Sequence, residues 1–251
     1  MGTRMDQKTP IVPVAPVTGQ TPPSSLEDHE TLVERYAAMA HAFQPRPVDH
    51  VLRLLDLVTA GMAAVVAAPL VLGIAIVSKL TSPRGHVLYH GWRVGRGGHL
   101  FEMVKFRTLA PDAEQRLGPY LGTELTQLTQ GEVTRWGRVL RASRLDELPQ
   151  LYNVLRGEMS LVGPRPIRPG FFEQLCVEIP EYWQRLVVRP GVTGLAQLRL
   201  TREMTWAEKL AHDLEYIADR SIRLYLSVIA TTVWLIVVRP ANRRAALNRL
   251  P

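Results

Sequence analysis

The chain has 251 residues, 46% of them hydrophobic and 21% charged, with a formal net charge of +7. That length allows one domain of ordinary size with a sizeable core plus tails, and the composition excludes a chain disordered throughout. The positive charge favours anionic partners, whether nucleic acid, acidic lipid or a phosphorylated substrate, and the single Cys176 excludes an intrachain disulfide.

Residues 1 to about 25 are rich in proline, threonine and serine without periodicity, and are expected to form a disordered arm. A helix is expected over 26–43, starting near Ser24 or Ser25. No signal peptide is visible, because the first long apolar run begins only near residue 57. That run, Leu57 to Ser78, has twenty-two residues without a charge. At about 1.5 Å per residue a helix of this length covers the roughly 30 Å hydrocarbon core of a bilayer. Pro69 falls in its middle, after Ala67 and Ala68, where a helix is expected to kink or break. Basic residues flank both ends, Arg46 and Arg53 before and Lys79, Arg84 and Arg93 after, so charge bias sets no crossing direction. A span and a re-entrant helix-break-helix dipping into one leaflet both remain open from the residues. Tyr89 and Trp92 follow closely, at headgroup depth or in the core.

Two strands are expected next, His86 to Tyr89 and Phe101 to Leu109, flanking a hairpin turn at Gly95-Arg96-Gly97-Gly98. His86 and His90 stand four apart, but on a strand and turn they need not converge on a metal. Lys105 and Arg107 share a strand face opposite Phe106. They make either two cations at one phosphate-sized spot or gatekeeping charges on an edge. Pro111 to Gly131 is polar and reads as a loop and helix forming a rim.

The chemistry concentrates between Thr134 and Pro166. Arg135, Arg138, Arg141 and Arg144 recur every three residues, a drifting basic stripe that leads to the adjacent acids Asp146 and Glu147. Proline is tolerated in the first turn of a helix, so Leu148-Pro149 places the acids at or just before a helix start. That helix runs to about Arg156, carries Leu148, Leu151, Tyr152 and Leu155 on one face and stops at Gly157. Met159 to Val162 reads as a short buried strand delivering Gly163-Pro164-Arg165-Pro166, where two prolines limit the directions of one guanidinium. A carboxylate at a helix N-terminus is held as the anion needed for nucleophilic attack or metal binding, and a second beside it, ringed by arginines, suits magnesium and a diphosphate. An N-cap, a dipole partner and a solvated basic face explain the same spacing.

Gly170 to Val188 reads as helix interrupted near Pro180, with Tyr182 and Trp183 as apolar or interfacial anchors. Arg189-Pro190-Gly191-Val192-Thr193-Gly194 reads as a tight turn beginning with a cation, whose glycines let backbone amides approach a phosphate. Leu224 to Val238 is a fifteen-residue uncharged segment, short for a span and able to lie in the interface or pack on the domain. The tail from Asn242 is basic and suits anionic lipid.

The run LDELPQLYNVLRGEMSLVGPRP resembles the bacterial sugar transferases, the monotopic phosphoglycosyl transferases that start glycans on a polyprenyl phosphate carrier. VGRGGHLFEMVKFRTL, RPGVTGLAQ and the helix containing His212 to Tyr216 resemble the same family in the same order, so the likeness covers roughly residues 50 to 240. It implies a re-entrant membrane helix that turns at Pro69. It further implies a UDP-sugar donor, polyprenyl phosphate as acceptor, Mg²⁺ as cofactor, Asp146 as nucleophile and Glu147 as metal ligand. Lys105, Arg107, Arg165, Arg189 and Gln197 are implied at the substrate phosphates, with mainly structural roles for the His212 to Tyr216 helix. Two departures stand out: the family commonly has aspartate where Tyr225 stands and a smaller residue where Arg144 stands.

The expected fold is therefore α+β, predominantly helical with a small antiparallel hairpin, and membrane-associated through the re-entrant helix and interfacial helices. An extension over 1–45, a membrane helix over 46–82, a catalytic domain over 83–240 and a tail over 241–251 are expected at the cytoplasmic face of the inner membrane, against its lipids. No nucleic acid is expected as partner, and homo-oligomerisation is left open. Two other classes fit part of the sequence. A membrane-anchored scaffold or nucleic-acid binder explains the charge but needs no acid pair, and a metal-dependent nucleotide-sugar hydrolase explains the acids but not the apolar run.

Overall fold

The computed structural model describes residues 46–83, 85–111, 113, 129, 131–199 and 204–237. The N-terminal arm with its helix over 26–43, most of the 111–131 rim and the basic tail lie outside the described residues.

Helix α1 (Pro47–Thr81) begins with proline in its first turn, where the missing N–H has no helical partner to lose, and Asp49 accepts the Arg46 backbone N–H at 2.8 Å. Of the expected kink or break at Pro69, a break is not seen: helical structure runs through it without interruption. A proline removes one donor from the ladder, and the long helical runs on either side supply the rest. Among the described residues this is the helix long and apolar enough, by length and composition, to cross a membrane.

Both ends of α1 sit on the same domain. Leu52 packs with Val162, Leu195 and Tyr225, and Ala60 with Phe101 and Met103. At the far end Ile74 meets Phe106 and Leu140, and Trp136 Nε1 donates to Ser78 Oγ at 3.0 Å. The middle is left open, with Val65 76% and Val66 78% exposed.

Strands β1 (Leu88–Val94) and β2 (Leu100–Phe106) form the expected antiparallel hairpin, Leu88 opposite Phe106 and Val94 opposite Leu100. Its turn is a 3₁₀ segment, Arg96–Gly98, in which Gly97 and Gly98 take φ of 67° and 82°, values a side chain resists. Helix α2 (Arg135–Ser143) is capped by Thr134 Oγ1, which accepts the Gly137 N–H at 2.8 Å. A 3₁₀ turn, Leu145–Glu147, then leads into α3 (Gln150–Arg156), which ends at Gly157 with φ 87°.

The expected apolar face of α3 is corrected. Gln150, Asn153 and Val154 are buried, whereas Tyr152 and Leu155 are exposed. Asn153 decides this, because its amide completes the edge of β2: Nδ2 donates to Glu102 O at 2.8 Å and Oδ1 accepts the Val104 N–H at 3.0 Å. Two unpaired backbone groups outweigh the burial of two apolar side chains.

Strand β3 (Ser160–Val162) pairs in parallel with β4 (Gly191–Thr193), so the expected tight turn over 189–194 is corrected to a strand entry. A Cβ on Gly191 or Gly194 would collide with Gly163, which is why glycines recur here. Helix α4 (Pro169–Glu178) and a 3₁₀ stretch, Pro180–Val187, reproduce the expected interruption near Pro180. Tyr182 is a core residue packed with Phe172 rather than an interfacial anchor.

Helices α5 (Leu195–Arg199), α6 (Trp206–Asp219) and α7 (Ile222–Val237) complete the described chain. The architecture is predominantly helical with a small antiparallel sheet, and the parallel pair β3/β4 was not expected.

Tyr225, where the resemblance implies an aspartate, ties α7 to α1. It is fully buried on α7 and its hydroxyl donates at 2.8 Å to Asp56 Oδ1 on α1, which also accepts from Ser160 Oγ at 2.9 Å and the Leu161 N–H at 2.8 Å. One carboxylate thus joins α1, β3 and α7. Tyr225→Phe removes one donor from a buried acceptor and is expected to cost about 1–3 kcal/mol, read as a lower denaturation midpoint in detergent. An unchanged midpoint would show that the tyrosine ring alone holds α7.

Candidate active site

The site begins with Thr108, just beyond β2. Its carbonyl accepts the Thr134 N–H at 3.0 Å, and Gly137 lies so close to that carbonyl that a Cβ would overlap it. Helix α2 is thereby docked on the strand end, and Arg141 Nε donates to Thr108 Oγ1 at 2.8 Å. Arg141 of the basic stripe is close enough to Asp146 for their charges to act on each other. Arg144 closes the helix in the left-handed conformation, φ 58°, which a small residue tolerates better. That turn swings Asp146 inward.

Asp146 is 8% exposed. Burial, and then the Glu147 carboxylate beside it, push its carboxyl above the usual range, while the charges of Lys105 and Arg141 pull it down. Lys105 comes from β2 opposite Tyr89 on β1, with Nζ 4.9 Å from that ring's centre. Burial lowers Lys105 to about 8, and Arg93, Arg141 and Arg165 add repulsion that Asp146 opposes. Arg93, on the same face of β1 as Tyr89, is lowered to about 10, chiefly by burial.

Glu147 points the other way. Its Oε1 lies 3.3 Å from Arg165 Nη2, and Arg165 Nη1 donates to Gln197 Oε1 at 3.0 Å. The 3₁₀ turn therefore gives its two carboxylates different surroundings: the charges of Lys105 and Arg141 act on Asp146, and Arg165, itself bonded to Gln197, pairs with Glu147.

Arg107 lies just past the end of β2, its backbone N–H bonded to Val87 O at 2.9 Å so that the pairing with β1 continues one step, and its Nε is buried without a hydrogen-bond partner. Arg189 Nε donates to Gly157 O at 2.8 Å, beside Arg53, whose Nη1 donates to Val154 O at 2.7 Å. Both cations satisfy carbonyls at the C-terminus of α3, where the helix leaves them unpaired and the dipole favours positive charge. Pro69 lies in α1, away from these contacts.

Reading β1 with a period of two would have joined Arg93 to Tyr89 and so to Lys105. No local signal marks Arg185 or Asp213, whose partners are remote in sequence.

His90 pairs with Glu102 at 3.3 Å, and the described residues hold no group of three or more His, Cys, Asp or Glu side chains that could enclose a metal. Magnesium commonly takes one or two carboxylates and fills its remaining positions with water and substrate phosphate. Asp146 and Glu147 fit such an ion arriving with a diphosphate, and do not form a cage by themselves.

The bacterial sugar transferase profile matches residues 48–239. The chain is 42% identical over 193 residues to a UDP-glucose:undecaprenyl-phosphate glucose-1-phosphate transferase of Caulobacter vibrioides, covering 74% of this chain and 69% of that one. A UDP-N-acetylgalactosamine-undecaprenyl-phosphate N-acetylgalactosaminephosphotransferase of Aeromonas hydrophila is 38% identical over 193 residues, 75% of this chain and 44% of that one. An exopolysaccharide production protein, PSS, of Rhizobium leguminosarum bv. phaseoli is 38% identical over 192 residues, 72% of this chain and 92% of that one. This chain thus spans less than half of the Aeromonas relative and nearly all of the Rhizobium one. The acid pair, the Arg165 turn and the long apolar helix all lie inside the matched span, and the chain belongs to the bacterial sugar transferase family.

Proposed function

We propose that the protein transfers a sugar 1-phosphate from a UDP-sugar to undecaprenyl phosphate, releasing UMP and starting a surface glycan. The observation that carries this reading is the inward Asp146, in the field of the Lys105 and Arg141 charges and adjacent to Glu147 with its Arg165 partner. An anionic nucleophile and a set of cations around it are what attack on a diphosphate requires.

In the first step an Asp146 carboxylate oxygen bonds to the sugar-linked phosphorus and the bond from that phosphorus to the UMP oxygen breaks. Lys105, Arg141 and Arg165 offset the charge that gathers on the phosphoryl oxygens and on UMP as it leaves. In the second step a phosphate oxygen of the lipid carrier bonds to the same phosphorus. The bond to Asp146 breaks, the carboxylate returns and the sugar leaves on a lipid diphosphate. Neither step needs a proton removed from the attacking group, which suits a site whose described neighbours of the acid include the cations Lys105 and Arg141. Mg²⁺, held by Glu147, would supply further charge neutralisation at the diphosphate.

Covalent transfer also suits the two acceptors, one soluble and one lipid, because they never share the site. Packing of residues near both ends of α1, Leu52 and Ile74, on one domain supports a helix that dips into one leaflet over one that crosses the bilayer. The apolar residues left exposed along its middle and on α7, including Leu226 and Val233, would meet lipid. The catalytic domain would then lie on the cytoplasmic face.

The test is UMP release by nanodisc-bound protein offered a panel of UDP-sugars with Mg²⁺ and undecaprenyl phosphate. Release with one sugar, dependent on the lipid, is the expected result. Sugar 1-phosphate forming at full rate without the lipid would instead identify a hydrolase.

A further inference from the structure

The segment from Gly163 to Ile167 carries Arg165 to Glu147, and its backbone is tied at four places. Gly163 N–H donates to Thr193 O at 2.8 Å, Gly191 N–H to Pro164 O at 2.8 Å and Val94 N–H to Ile167 O at 3.0 Å. The fourth tie differs in kind: the carbonyl of Arg165 itself accepts from Nη2 of Arg185 at 2.9 Å. Pro164 and Pro166 have no N–H, so carbonyls are the main handles on this turn.

Arg185 is 5% exposed and lies in a core built from Val94, Ile167, Phe172 and Leu186. Its Nη2 pairs at 2.7 Å with Oδ2 of Asp213 on α6, and its Nη1 donates to the Tyr182 hydroxyl at 3.0 Å. The Tyr182 ring lies under the guanidinium, 4.9 Å from its carbon. A buried ion pair is a weak source of stability, since apolar residues of the same volume often do as well. A guanidinium kept there at that disadvantage, with one donor committed to the carbonyl of Arg165, has a use beyond packing.

We propose that Arg185 and Asp213 are a positioning pair: Asp213 aims Arg185, and Arg185 holds the Arg165 carbonyl so that the Arg165 guanidinium leaves the chain toward Glu147 and Gln197. The catalytic consequence rests on the transferase reading above, whereas the positional claim rests on these contacts alone. The pair touches no reacting atom and acts only through Arg165.

The test uses the full chain in nanodiscs and two readouts. In the first, Arg185→Met combined with Asp213→Leu leaves no unpaired buried charge, so the melting temperature stays near wild type while kcat for UMP release falls about 10- to 100-fold. In an Arg165→Ala background the same double change costs less than about twofold further, because the residue it positions is already gone. Arg185→Lys, which keeps the charge opposite Asp213 but reaches less far, falls between. In the second readout, hydrogen exchange of the Gly191 and Val94 amides quickens at least about tenfold in the double variant while amides in α7 do not change. Wild-type kcat in the double variant, or losses that multiply with Arg165→Ala, would overturn the proposal. If the wild-type protein releases no UMP from any donor, the transferase reading fails, and exchange decides the positional claim by itself: unchanged Gly191 and Val94 amides refute it. Should the double variant not fold, Arg185→Lys is read in the same two ways.

Discussion

Asp146→Asn is expected to abolish carrier-dependent UMP release, lowering kcat by at least about 10⁴-fold, the scale of loss seen when a covalent nucleophile is removed. Asparagine keeps the size and the hydrogen-bonding shape of the side chain but cannot form the acyl phosphate. Asp146 is also buried beside Glu147, which raises the cost of its negative charge. Neutralising it relieves that cost, so the variant is expected to be at least as stable as wild type. Lost activity with retained or raised stability is the signature of a catalytic group; lost activity with lost folding would make Asp146 a structural cap. Glycosyl phosphate trapped on wild-type protein in the absence of lipid, and absent from Asp146→Asn, would identify the intermediate directly. Equal UMP release by the two proteins would end the covalent mechanism.

Lys105 carries the second large effect. Burial brings its ammonium to about 8, so its charge is complete below that pH and lost as pH rises through it. The carboxyl of Asp146 is raised, so the nucleophilic anion is lost as pH falls through its folded value. The profile of kcat/KM against pH is therefore expected to be bell-shaped, with its alkaline limb near 8 in the free enzyme. A bound diphosphate stabilises the ammonium, so the alkaline limb of kcat should lie higher. Lys105→Arg keeps the charge across the range and should remove the limb, whereas Lys105→Met should cost about 10²- to 10³-fold in kcat. An alkaline limb that persists unchanged in Lys105→Arg would assign it to another group. The Tyr89 ring below the ammonium and the Arg93 guanidinium nearby are what distinguish this lysine from a surface one.

Much of this site could be read in one dimension because its parts are local. The acid pair, the proline two residues after Glu147 and the glycine that ends α3 are read from backbone rules that act over a few residues, and the structure places Asp146 and Glu147 on the turn just before that helix. The hairpin was legible for the same reason: a glycine-rich turn, with Gly97 and Gly98 at positive φ, stands between two strand-forming runs. Arg189 shows the limit of such reading. A cation before proline and glycine reads as a plain surface turn in isolation, and nothing local shows its bond to the Gly157 carbonyl, more than thirty residues away by chain. Tyr152 and Leu155 show another: helical period predicts which residues share a face, but Asn153 chose the buried face by bonding to a strand that periodicity does not see.

The sequence by itself determined the family, the place of the acid pair just before a helix, the long apolar helix and the predominantly helical class, because each shows in residue type and spacing along the chain. Tertiary structure alone decided the rest. It paired β3 with β4, divided the partners of Asp146 from those of Glu147, moved Arg189 to the end of α3 and buried Arg185 with Asp213 beneath Arg165. The physical reason is that buried backbone carbonyls and buried charges must find partners wherever the chain brings them, and the identity of those partners is a property of the packed molecule.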